Sequence, residues 1–93
     1  MDKAEALELL RRHLASWRTQ SYQDLAGQIG ETHSFEATGS SGAQYQGSIQ
    51  VFWDGPPNGD IRVMGSIDDG GWRAFVPLTD AFIMASNGTF VGE

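Results

Sequence analysis

Cysteine is absent from the chain. Disulfides, thiolate metal sites and cysteine nucleophiles are therefore excluded, which suits a reducing compartment. Positive charge is scarce: 12 acidic residues face 6 basic ones, for a net charge of −6. Phosphate backbones and anionic lipid surfaces repel such a surface, so neither nucleic acid nor membrane is an expected partner. No apolar run approaches the roughly 18 residues needed to span a bilayer. The first residues, Met1-Asp2-Lys3-Ala4-Glu5, open a charged helix and carry no apolar core of a secretion signal, so a cytoplasmic location is expected. Only two histidines are available for acid–base or metal chemistry. A chain of 93 residues fits one domain, spanning residues 1–93.

Aromatic residues are present in useful number: three Trp, five Phe and two Tyr. Asp2 and Glu5 make a capping box, D-x-x-E, that starts a helix. Leu7, Leu10, Leu14 and Trp17 then recur at helical spacing and form one apolar stripe. Ser21 and Asp24 cap a short helical turn through Tyr22 and Leu25, which Gly27 and Gly30 end. From Thr32 the period becomes two. His33–Thr38 reads as a strand with Phe35 and Ala37 on one side. Ala43–Trp53 is the clearest strand, with Tyr45, Ile49, Val51 and Trp53 alternating against Gln44, Gln46, Ser48 and Gln50. After the turn residues 54–59 comes a third strand with Ile61, Val63 and Ile67 inward. Asp68-Asp69-Gly70-Gly71 reads as a tight connection to a fourth strand, with Trp72, Ala74, Val76 and Leu78 inward. Pro77 ends that strand or places it at an edge. Residues 82–91 read as a hairpin around Asn87-Gly88. The expected fold class is α+β: an N-terminal amphipathic helix plus a short helical turn, packed on a curved antiparallel meander of four to six strands.

Few residues suggest chemistry. A helix laid across a curved sheet leaves a cleft that Trp17, Tyr22, Tyr45, Trp53 and Trp72 could line, or these rings could simply be core. Asp68 and Asp69, beside Trp72 and Arg73, could act as an acid–base pair, since neighbouring carboxylates raise one another's pKa. The plainer reading of the same string, and the favoured one, is a hairpin turn with solvated Asp. His13 flanks the helix stripe, and His33 opens the first strand as a candidate base or ligand contact. The Asp54–Asp60 segment lacks the oxygen ligands of a calcium loop, and Gly39–Gly42 lacks the Lys and helix of a phosphate loop. No catalytic residue, cofactor or metal is assigned. The outer face of the sheet mixes Gln46, Ser48, Gln50, Arg62 and Ser66 with Phe52, Met64 and Phe75. Those three apolar residues point to a homodimer through the open sheet face.

The helix LELLRRHLASW (7–17) followed by SYQDLAGQIGE (21–31) and a strand meander resembles the cystatin-like α+β superfold. In particular it resembles the small nuclear-transport-factor-two-like (polyketide-cyclase-like) proteins. The segment IDDGGWRAFVPLTDAFI (67–83) is also similar to a small family of bacterial proteins of unknown function. The resemblance implies a helix over a curved sheet. The chain is shorter than fuller members of the family and lacks a helix between its early strands. The family's His/Asp pairs have no counterpart here, so no catalytic role carries over. Two readings follow. In one, the chain is a non-catalytic, dimeric domain binding a small apolar ligand or a protein. In the other, it is a small lyase-, isomerase- or hydrolase-like enzyme using Asp68 or Asp69 with His33 or Tyr45.

Overall fold

A computed structural model of the chain describes residues 1–71 and 76–93. Trp72, Ala74 and Phe75, expected on the fourth strand or the open face, lie outside the described residues. Helix α1 runs Lys3–Trp17, and helix α2 runs Tyr22–Ala26. Strands β1 (Thr32–Thr38), β2 (Gln44–Trp53), β3 (Ile61–Asp68) and β4 (Leu78–Met84) pair in chain order as one curved antiparallel sheet. Among the described residues no helix is long and apolar enough to cross a membrane.

Both helix starts follow their caps. Asp2 Oδ1 accepts from the Glu5 N–H at 3.0 Å, and Ser21 Oγ accepts from the Asp24 N–H at 3.1 Å. Only half of the capping box forms. The Glu5 carboxylate does not turn back to Asp2 but accepts from Ser41 Oγ at 2.8 Å and Tyr45 Oη at 3.1 Å. A tertiary contact has replaced a local one.

The buried stripe of α1 is Ala6, Leu10, Leu14 and Trp17, with Leu7 half-buried at its margin. It lies over β3 and β4. The inner faces of the strands meet it with Tyr45, Ile49 and Val51 from β2, Ile61, Val63 and Ile67 from β3, and Phe82 and Met84 from β4. Gly65 sits beneath the helix, where a Cβ would stand 2.7 Å from Leu10 Cδ1. The missing side chain lets helix and sheet approach.

The fourth strand departs from the sequence reading. It begins where the expected strand was to end, immediately after Pro77, and pairs Leu78 with Ile67. Val76, expected inward, is 64% exposed. β3 ends at Asp68 and β4 begins at Leu78, further along the chain than the tight turn expected at Asp68–Gly71. Proline has no N–H for a ladder, so pairing starts only beyond it. The last hairpin is also shorter than its pattern suggests. Gly88 takes φ 86° at the turn, and a single bridge joins Met84 to Phe90.

Candidate functional site

The helices cover one face of the sheet, and the strand register orders the other. Row by row, Ser34, Ser48, Ser66 and Thr79 align across all four strands. On one side of this hydroxyl row stand Glu36, Gln46 and Asp68; on the other, Gln50, Met64 and Ala81, then Phe52, Arg62 and Ile83. The face thus grades from acidic to apolar. Ser48 Oγ and Ser66 Oγ lie 3.1 Å apart, and Gln46 Nε2 donates to Asp68 Oδ1 at 3.1 Å. Arg62 Nε donates to Asp54 Oδ1 at 2.7 Å, which occupies the cation among the apolar residues. A shallow groove of about 610 Å³ crosses the hydroxyl end between Ser34, Glu36, Gln46, Ser48 and Asp68.

A second groove, about 490 Å³, lies by the β1–β2 hairpin and brings Tyr45 and Asp69 together with Glu36 and Gln44. Tyr45 is buried, and its hydroxyl donates to Glu5. Burial first, then the Glu5 hydrogen bond and the charges of Glu5, Asp2 and Asp69, raise its pKa above the ordinary tyrosine value. The phenol therefore stays protonated and acts as a donor already in use.

The remaining candidates are spread out. Trp17 is buried, and its ring meets His33 edge-on with centroids 4.9 Å apart. His33 Nε2 lies 3.1 Å from Glu31 Oε1 but out of hydrogen-bond alignment. Tyr22 Oη donates to the Gly59 carbonyl at 2.8 Å, pinning α2 to the β2–β3 turn. Trp53 packs half-buried against the core. His33 pairs with Ile49 on the helix-covered face, whereas Asp68 pairs with Gln46 on the open one. Three residues of strand, about 10 Å, also separate their rows. Asp68 and Asp69 part as well: Asp68 Oδ1 binds Gln46 and the Gly70 N–H, and Asp69 turns to the Tyr45 groove. Trp72 lies outside the described residues. Of the proposed catalytic partners, Tyr45 and Asp69 share a groove.

Two features were not evident in the sequence. Glu5 reads as a cap residue, and its link to Tyr45 depends on a contact from the helix to the hairpin. The Ser34–Ser48–Ser66–Thr79 row depends on register, which period-two patterning leaves open. Among the described residues no group of three or more His, Asp or Glu is placed to hold a metal ion. Comparisons of the chain with family models, curated proteins and solved structures give no match. The likeness to nuclear-transport-factor-two-like proteins rests on the residues quoted for it.

Proposed function

We propose that this chain is a non-catalytic protein-binding domain that works as a homodimer. The observation that carries this reading is a four-stranded sheet with one face under a helix and the other face and one edge unpartnered among the described residues. The dispersal of His33, Asp68 and Asp69 supports it further. Both grooves are shallow and polar-lined, which favours a protein surface over a small apolar ligand. A thermal-shift screen against a metabolite library, with mass measured by light scattering, tests it. The expected result is twice the monomer mass and no small molecule that raises the melting temperature. A monomer stabilised by a metabolite would overturn it.

One observation favours the enzyme alternative: Tyr45 and Asp69 line the same groove. A folded Asp69→Ala variant that loses turnover of a screened compound would establish that reading instead.

A further inference from the structure

The two edges of the sheet are treated differently. At the β4 edge, the Ile83 carbonyl accepts from the Val91 N–H at 2.8 Å, and the Ala85 N–H donates to Thr89 at 2.8 Å. The Ala81 N–H is taken by Asp80 Oδ1 at 2.9 Å. The C-terminal turn therefore covers the Ile83–Ala85 end of that edge, and Asp80 takes the N–H at its middle. At the β1 edge, among the described residues, nothing comparable covers the strand.

The orientation of the open groups on β1 follows from its ladder. Gly39 N–H donates to the Ala43 carbonyl, and Val51 N–H donates to the Glu31 carbonyl. Antiparallel pairing alternates bonded and non-bonded pairs, so the odd-numbered residues of β1 bond to β2. Thr32, Ser34, Glu36 and Thr38 therefore turn their N–H and C=O groups outward. These four are symmetric about Phe35. The strand carries neither Lys nor Pro, the common guards of a free edge.

We infer that β1 pairs antiparallel with β1 of a second copy, about a two-fold axis through Phe35, to give one continuous eight-stranded sheet. This deepens the dimeric reading by naming its surface. In this register Ser34 faces the partner's Glu36 and Thr32 faces the partner's Thr38. All four open residues are satisfied by about eight ladder bonds. Ser34 can also donate its hydroxyl to the carboxylate opposite. Centring the axis on Glu36 would set carboxylate against carboxylate. Centring it on Ser34 would bring Thr38 against the irregular Gly30–Glu31 step, where both residues bond Val51. A two-fold axis perpendicular to the sheet keeps both α1 helices on one side and leaves the whole outer face free. By contrast, Phe52 and Met64 on that face are already half-buried within the monomer, so a face-to-face dimer gains less.

Light scattering on three chains across a dilution series tests this. Wild type is expected at twice the monomer mass. Ser34→Pro removes one outward N–H without touching the β1–β2 bonds, and is expected to give a folded monomer by circular dichroism. Met64→Lys on the open face is expected to remain dimeric. Independently, mixing Ser34→Cys and Glu36→Cys chains under oxidation should yield a cross-linked dimer, since facing residues fall within disulfide reach and the chain has no other cysteine. A monomeric wild type overturns this inference together with the dimeric reading. A dimer broken by Met64→Lys but not by Ser34→Pro, and not cross-linked, overturns the edge and leaves the dimeric reading standing.

Discussion

Two glycines show how neighbours decide the cost of one methyl group. A Cβ at Gly47 would stand 2.4 Å from both Phe35 Cζ and the Ser66 carbonyl oxygen. The carbonyl belongs to the neighbouring strand and cannot withdraw. A Cβ at Gly39 would meet the Glu5 carboxylate at 1.7 Å, but that is the end of a flexible side chain. Gly47→Ala is therefore expected to cost about 1–3 kcal/mol in urea unfolding, and Gly39→Ala clearly less. Equal costs would mean that the sheet relaxes around Gly47. The Phe35 ring crossing Gly47 also stacks on His13, with centroids 3.9 Å apart. Burial lowers the His13 pKa below 6.5. Above the unfolded-state value both states are neutral at this residue and nothing is lost. As pH falls through that value the unfolded chain binds a proton that the folded chain refuses, so stability declines until the folded pKa is passed. Replacing His13 with Phe should remove this part of the decline in a melting series from neutral to mildly acidic pH. An unchanged slope would place its source elsewhere.

Helix α1 organises the fold because its stripe supplies the layer over β3 and β4. Leu10 is fully buried against Gly65 and Ile49, so Leu10→Ala is expected to cost about 2–5 kcal/mol. Leu7→Ala, at the half-buried margin, should cost markedly less; urea titration of both separates the two positions. The helices, β2, β3 and the α+β class were legible in the sequence, because caps and alternation act locally. Tyr45, Ile49 and Val51 alternate as expected and are buried. The helix stripe was legible to within one residue: Ala6 takes the fully buried place assigned to Leu7. The β3–β4 connection was not legible. Gly70-Gly71 has hairpin composition, yet nothing local measures the distance to the next paired residue, and Pro77 marks the start of a strand as readily as its end. The site was least legible. Glu5 meets Tyr45 across 40 positions of chain, and the hydroxyl row spans four strands.

At the scale of the whole molecule, the covering of the Ile83–Ala85 end of the β4 edge depends on the last few residues. Arg18, at the end of α1, lies 4.1 Å over the Phe90 ring and 5.4 Å from that of Phe82, and forms an ion pair with Glu93. Phe82 and Phe90 meet edge-on at 5.7 Å. Helix, strand and C-terminal turn are thus clasped together, which holds Val91 on the Ile83 carbonyl. Deleting residues 89–93 removes the clasp and frees Ile83 and Ala85 to bond outward. A chain with both edges open has no closed assembly, because each added copy presents a new edge. The truncated protein is expected to exceed the dimer mass and to grow with concentration in light scattering. Adding Ser34→Pro to the truncation shuts the β1 edge and should return the assembly to a β4-paired dimer. That second variant separates edge pairing from mere exposure of Phe82, since a sticky ring would keep the truncated chain aggregating whatever happens at Ser34.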